Sequence, residues 1–218
     1  MNTKQGRKAS PGDLYTTQKE YYRDAYSQAE APPWDSAFDP LWLKRALKKI
    51  GPAKGRCALD LGTGHGKGAS ILKKAGWRAV GVDYLAEPLA RARANTAGRL
   101  LLVQADALQP PFRERAFDLI LDWDMFHHIR RRDADEYIGV VASLLAPSGK
   151  FLLGCFSTKF RHKGEKKRKR SWILHHGHYD RFSTKKELAA CFSTLFAIDS
   201  IKEDPKGFYL VMMTLRGV

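Results

Sequence analysis

The nine residues Ala58-Leu59-Asp60-Leu61-Gly62-Thr63-Gly64-His65-Gly66 restrict this chain more than any other stretch. They continue a short apolar run, Cys57 to Leu61, and open a helical pattern, Gly66 to Ala75, that Gly76 stops. Glycines at such a junction allow a sharp turn and let the backbone approach a ligand with no Cβ between them. In open α/β sheets, ligands settle just past the carboxyl ends of the strands, where the strand order reverses. A strand, a glycine turn and a helix in succession therefore predict a sheet and the place of a pocket together.

The rest of the chain keeps that rhythm. Strands are expected at Arg78 to Val82, Leu100 to Gln104, Phe117 to Leu121 and Phe151 to Phe156, with a helix from about Leu85 to Asn95. A helix begins near Asp133, where Asp133 and Glu136 make a capping-box-like start and Tyr137, Val140, Val141 and Leu144 share one face. Short apolar strands alternating with helices indicate a parallel sheet covered on both sides. Ahead of the glycine turn, Leu43, Ala46, Leu47 and Ile50 form a stripe on a helix starting near Pro40. At the other end, Thr184 and Glu187 cap a short helix. Phe196 to Ile201 and Phe208 to Leu215 are then too close together for a helical crossover and should pair antiparallel. The expected fold is a doubly wound, Rossmann-like α/β sheet, mostly parallel with an antiparallel C-terminal strand and helices on both faces. Residues 1–30 read as an N-terminal extension, frayed at first and then helical from Thr16 to Gln28; residues 31–218 read as the domain.

Four successive strands end in an acid: Asp60, Asp83, Asp106 and Asp122. Asp83 stands 17 residues past Gly66, close to where a dinucleotide-binding turn places its ribose acceptor. Tyr84 follows it with a ring able to lie on a purine. A row of carboxylates along one sheet edge repels itself unless hydrogen bonds or a cationic ligand offset the charge. A sulfonium with an ammonium suits such an edge; a pyrophosphate does not. Gly64-x-Gly66-x-x-Ala69 also fits the dehydrogenase variant of the turn, so a dehydrogenase stays open as an alternative. A P-loop does not, because Lys67 is followed by Gly68.

These residues resemble the motifs of class I S-adenosylmethionine-dependent methyltransferases. Ala58 to Gly66 is similar to their glycine-rich first motif, and Asp83, Asp106-Ala107 and Asp122 follow in the family's order over roughly Pro33 to Leu215. The resemblance implies that Asp60, Gly62, Thr63, Gly64 and Gly66 surround the methionine part of S-adenosylmethionine. It implies ribose at Asp83, adenine at Tyr84, Asp106 and Ala107, and a cofactor-edge contact at Asp122. Ala31-Pro32-Pro33-Trp34-Asp35 resembles the entry of small-molecule methyltransferases of the thiopurine and tellurite-resistance type, in which the Trp closes the cofactor site. Asp122 through His128 resembles their Asp-x-x-x-Leu-His-His motif, with Trp123 and Asp124 departing from it. The implied function is methyl transfer to a small molecule by in-line displacement. The rivals are an RNA or protein methyltransferase docking through a basic loop, and a binding protein without turnover.

Simpler readings stand beside these. Asp is common where strands end, and Trp34 can be a core aromatic. His127 and His128 read first as packing and backbone-bonding residues; if a base is needed, Asp124, His127 and His128 are the positions for it. His175, His176 and His178 lack a cysteine or acid at ligand spacing, so no metal is expected. Residues 161–170 read RHKGEKKRKR, with seven Lys or Arg in ten, and rank as a solvated loop, then a lid, then a nucleic-acid arm. The net charge of +15 makes an anionic acceptor compatible and nucleic acid the less favoured partner. No apolar run approaches the roughly 18 residues of a membrane span. Three spaced cysteines and an N-terminus without an apolar core suggest a reducing cytoplasm.

Overall fold

A computed structural model describes residues 11–28, 32–165, 167–175 and 177–217. Most of the frayed start expected for the first dozen residues lies outside that set, as do Ala31, Lys166 and His176, but Pro11 and Gly12 are helical. The chain opens with helix α1 (Pro11–Ser27), five residues longer at its start than the sequence pattern suggests, and α2 (Pro40–Ile50). Asp39 caps α2 by accepting from the backbone N–H of Leu41 and Trp42. The alternating part follows: β1 (Cys57–Leu61), α3 (Lys67–Lys74), β2 (Arg78–Asp83), α4 (Ala86–Asn95), β3 (Leu101–Gln104) and β4 (Phe117–Trp123). Then come α5 (Ala134–Leu144), β5 (Leu145–Phe156), β6 (Trp172–His175), β7 (His178–Arg181), α6 (Lys185–Phe192), β8 (Phe196–Glu203) and β9 (Phe208–Leu215).

Seven strands form one sheet in the order β3-β2-β1-β4-β5-β9-β8, so the winding direction reverses between β1 and β4. Pairing is parallel from β3 through β5, while β9 runs antiparallel to both β5 and β8. The expected antiparallel C-terminal strand is thus β9, inserted beside β5, with β8 at the edge. One side of the sheet buries Leu59, Leu61, Ile120, Phe151 and Leu153 against α5 and α6. The other buries Ala58, Leu119, Leu121 and Leu152 under α2 and α3. The period-2 alternation of a sheet covered on both faces accounts for the continuous apolar runs of its strands.

Two local expectations change. Asp133 makes no side-chain cap on α5; its Oδ2 accepts from the Tyr15 hydroxyl at 2.6 Å, so α1 takes the oxygen the helix end lacks. Thr184 and Glu187 do form a full capping box on α6. The small β6–β7 hairpin sits outside the main sheet and has no counterpart in the sequence reading. Its β7 is buried along all four residues, His178, Tyr179, Asp180 and Arg181, although three of them are polar.

Gly154 in β5 lets the Trp123 ring lie on the sheet: a Cβ there would stand 2.5 Å from the ring. Trp123 in turn stacks on Phe208 at 5.5 Å. Gly154→Ala is therefore expected to destabilise the fold by about 1–3 kcal/mol through overpacking. Urea unfolding with tryptophan fluorescence checks it, and an unchanged midpoint would contradict the contact.

Candidate functional site

The glycine turn after β1 lies at the reversal of strand order, and three of its glycines have positive φ: Gly62 (67°), Gly64 (50°) and Gly66 (76°). At Gly64 a Cβ would meet the Tyr26 hydroxyl at 2.9 Å, so helix α1 sits directly over the turn. At Gly66 it would meet Leu100 and Ala92, so that glycine serves packing between α3 and its neighbours. One pocket opens beside this turn. Its wall includes Trp34, Asp60, Gly62, Thr63, Gly64, Asp83, Tyr84, Asp106 and Ala107, nine of the eleven residues expected from the sequence. Gly66 and Asp122 do not line it.

The acids at or just past the strand ends share one structural habit, because each accepts from a backbone N–H of a nearby loop or helix start. Asp60 Oδ2 accepts from Thr63 Oγ1 at 2.6 Å and from Ala69 N at 2.8 Å, pinning the turn to the start of α3. Asp83 Oδ2 accepts from Gly64 N and Oδ1 from Leu85 N, both at 3.0 Å. Asp106 Oδ1 accepts from Leu108 N at 2.9 Å. Asp122, expected at the cofactor edge, stands behind the pocket wall. It is wholly buried, and its oxygens are taken by Met125 N (3.1 Å), Phe126 N (3.3 Å) and the Tyr137 hydroxyl (2.6 Å). It shapes the loop after β4 from behind the pocket wall.

Burial is the main influence on Asp60, Asp83 and Asp122. It pushes Asp60 up to about 7, against the hydrogen bonds from Thr63 and Ala69. Asp83 and Asp122 rise to about 6 for the same reason, against their backbone and Tyr137 donors. Each oxygen of Asp83 has spent one lone pair on an N–H and keeps another for a ligand hydroxyl.

Helix α1 provides a roof absent from the sequence-level site. Tyr15, Gln18, Tyr22 and Tyr26 all line the pocket. Trp34 Nε1 donates to the Tyr26 hydroxyl at 2.9 Å, and Trp34 packs edge-on against Tyr22 and Tyr26. Asp35 is clamped to the turn by His65 Nδ1 at 2.8 Å and Lys67 Nζ at 3.1 Å. Burial raises the Asp35 carboxyl, but His65 and Lys67 outweigh it and hold it below its ordinary value. The spacing of Tyr22 and Tyr26, four apart on one helical face, was the available signal for the roof.

At the far end, Asp124 and His128 face the pocket with Trp123, Phe38 and Ile129. Asp124 has φ +69° and is pushed by burial up to about 8. His127 turns away, stacked on Phe156 with ring centroids 3.5 Å apart. Burial drives its pKa far down, and the neighbouring His128 charge adds to that. Donor atoms of His127, His128 and Asp180 lie within 4.8 Å of one another. The short contacts to Asp180, from 2.8 to 3.2 Å, are direct nitrogen–oxygen distances. None of the described residues of 161–170 lines the pocket. Arg168 is instead tucked over the Phe182 ring at 3.1 Å, with only 6% of its side chain exposed, and paired with Glu165. No helix among the described residues is long and apolar enough to cross a membrane.

A sheet of this order with one reversed strand, a glycine turn after β1 and an acid closing β2 is the fold of class I S-adenosylmethionine-dependent methyltransferases. Residues 58–149 match the family described as Methyltransferase domain. It is 29% identical over 119 residues to an uncharacterized methyltransferase of Geobacillus kaustophilus, covering 55% of this chain and 54% of the relative. It is 37% identical over 103 residues to a fatty-acid O-methyltransferase of Mycolicibacterium smegmatis, covering 45% and 36%. The matches thus span about half the first relative and less of the second. A Burkholderia thailandensis 1,6-didemethyltoxoflavin-N1-methyltransferase, solved with 1,6-didemethyltoxoflavin and S-adenosylhomocysteine, superposes with a TM-score of 0.75. That likeness, at 21% identity, covers 96% of this chain and 92% of the other, and is one of fold.

The raised carboxyl of Asp83 has a consequence for stability. Its folded pKa, about 6, lies above the ordinary 3.8, so its contribution is fully present below about pH 4 and is lost as pH rises through 6. Asp83→Asn lacks that loss. Urea unfolding of both proteins between pH 4 and 7.5 is expected to show the variant gaining on the parent up to about pH 6 and levelling off above it. A pH-independent difference would contradict the burial of the charge.

Proposed function

We propose that this chain is an S-adenosylmethionine-dependent methyltransferase acting on a small-molecule acceptor. The observation that carries the reading is the joint position of the glycine turn and Asp83 in one pocket at the reversal of strand order. The pocket fits the cofactor chemically. Gly62 and Gly64 leave room for close approach, and Asp83 keeps lone pairs for the two ribose hydroxyls. Tyr84 offers a ring face, and Asp106 and Ala107 provide the edge for the base. Asp60 acts one step back, holding Thr63 and the turn in place. Buried carboxylates with raised proton affinity favour a cationic ligand over a pyrophosphate, which speaks against the dehydrogenase alternative.

S-adenosylmethionine, when bound, supplies a methyl group on sulfonium sulfur, a leaving group that needs no further activation. The protein's part is to align an acceptor with it and to exclude water. Tyr22, Tyr26 and Trp34 roof the pocket, and Trp123, Phe38 and Ile129 give its acceptor end an apolar wall. A roofed pocket lined by aromatics suits a small molecule better than a nucleic-acid strand or a folded protein. The relatives named for fatty-acid and toxoflavin-precursor methylation support the same class of acceptor. The basic run 161–170 supplies no pocket lining from its described residues, so it is assigned no role in the acceptor site.

Calorimetry with S-adenosylhomocysteine tests the cofactor site. Asp83→Ala is expected to weaken binding by about 1–3 kcal/mol through lost charge-assisted hydrogen bonds. Unchanged affinity in a folded variant would remove Asp83 from the site. Salt-sensitive RNA binding, with methyl transfer only when RNA is present, would favour the macromolecular alternative instead.

A further inference from the structure

His127 and His128 are neighbours in sequence, yet the single helical turn Phe126–His128 sends their rings to different places. His127 is 1% exposed in the core; His128 lines the pocket. The His128 Nδ1 atom faces two acceptors, the Tyr179 carbonyl at 3.1 Å and Asp180 Oδ1 at 2.8 Å. The Tyr179 carbonyl on Nδ1, with the Asp180 charge beside it, favours the proton there and leaves Nε2 to accept. The Tyr22 hydroxyl of helix α1, itself part of the pocket wall, lies 2.9 Å from both Nε2 and Nδ1.

Asp180, wholly buried in β7, is built to stay ionised. His162 Nε2 stands 2.9 Å and His178 Nε2 3.2 Å from its Oδ2. The titratable groups around His128 are Tyr22 from α1, Asp124 and His127 from the loop after β4, Asp180 and His178 from β7, and His162 from the segment before β6. Burial works against a charged His128, but Asp180 outweighs it and raises the imidazole's proton affinity. The pocket thus contains an oriented imidazole with strong backing, connected to the acceptor end through one hydroxyl.

We propose that His128, oriented by Asp180 and reached through Tyr22, takes the proton released in methyl transfer, and that the acceptor is an N–H or O–H nucleophile. This rests on the reading of the pocket as a methyltransferase site. A thiol that ionises in water needs no base, whereas an amine or hydroxyl must lose its proton to a positioned group. The acceptor's lone pair forms the bond to the methyl carbon as the methyl–sulfur pair returns to sulfur. The acceptor's proton passes to the Tyr22 oxygen while Tyr22's own proton moves to Nε2. His128 ends as imidazolium beside the Asp180 carboxylate, which stays ionised throughout. Asp180 is the positioning residue of the set.

Nitrogen-15 imidazole spectra of the protein loaded with S-adenosylhomocysteine provide the first test, with the His128 signals assigned by their loss in His128→Gln. The expected neutral tautomer carries its proton on Nδ1, and Asp180→Asn is expected to lower the His128 proton affinity at least about tenfold, one pKa unit. A proton on Nε2, or an unmoved titration in Asp180→Asn, overturns the proposal. The second test follows transfer of labelled methyl from S-adenosylmethionine to phenol, benzimidazole and, at pH 8, thiophenol. Tyr22→Phe and His128→Gln are expected to slow transfer to oxygen or nitrogen by about 100-fold or more. Affinity for S-adenosylhomocysteine should stay within about twofold, since neither group is assigned to the cofactor. Undiminished transfer in both variants, or transfer to thiophenol alone, overturns the proposal. If no probe is methylated, the tautomer and titration decide. Absence of S-adenosylhomocysteine binding would instead remove the methyltransferase reading itself.

Discussion

The bond between a carboxylate at or just past a strand end and nearby backbone N–H groups is the interaction on which this site depends. It recurs at four strand ends: Asp60 with Ala69, Asp83 with Gly64 and Leu85, Asp106 with Leu108, Asp122 with Met125 and Phe126. A glycine turn has little conformational preference of its own, so something must hold it in one shape. Asp60 and Asp83 do so from below and from the side, gripping Thr63 and Gly64. The cost is negative charge in a low-dielectric edge, visible as carboxyls pushed up to about 6 and 7. A cationic ligand would relieve that cost, linking the stability of the turn to what binds beside it.

Helix α1 converts this crevice into an enclosed pocket. Its tyrosines reach the glycine turn, Trp34 and His128. Tyr15 meanwhile bonds Asp133 beneath the start of α5. The same helix therefore touches both ends of the pocket, from the glycine turn to His128. The β6–β7 hairpin backs the acceptor end through Asp180 and its three imidazoles, and Arg181 lies over the Phe126 ring at 3.7 Å. In the proposed reading, these segments outside the alternating strands and helices supply the acceptor-facing chemistry, while the alternating part seats the cofactor.

Much of the sheet was legible in the sequence because apolar runs and glycine stops report local geometry directly. The strands Cys57–Leu61 and Phe208–Leu215 fall where their patterns put them. The β6–β7 hairpin was hidden because β7 is buried yet polar, and its burial depends on partners such as Gln18, 161 residues away, whose Oε1 accepts from Tyr179 N. The bonding of Asp122 was hidden for a related reason. An acid at a strand end looks the same whether it faces a ligand or its own loop, and Tyr137, which fills its remaining valence, sits on another element. His127 and His128 share one sequence context but differ in fate, because a tight turn separates their rings and no periodicity encodes that. Trp34 was legible through resemblance, whereas its partner Tyr26 required the folded helix.

A crystal structure of the chain with S-adenosylhomocysteine tests the central claim most directly. The account predicts the ribose hydroxyls on Asp83, the amino-acid portion over Gly62 to Gly64, and the sulfur directed toward the end formed by Asp124 and His128. Ligand density elsewhere, or ribose held by other groups with Asp83 bound only to its own backbone, would contradict it.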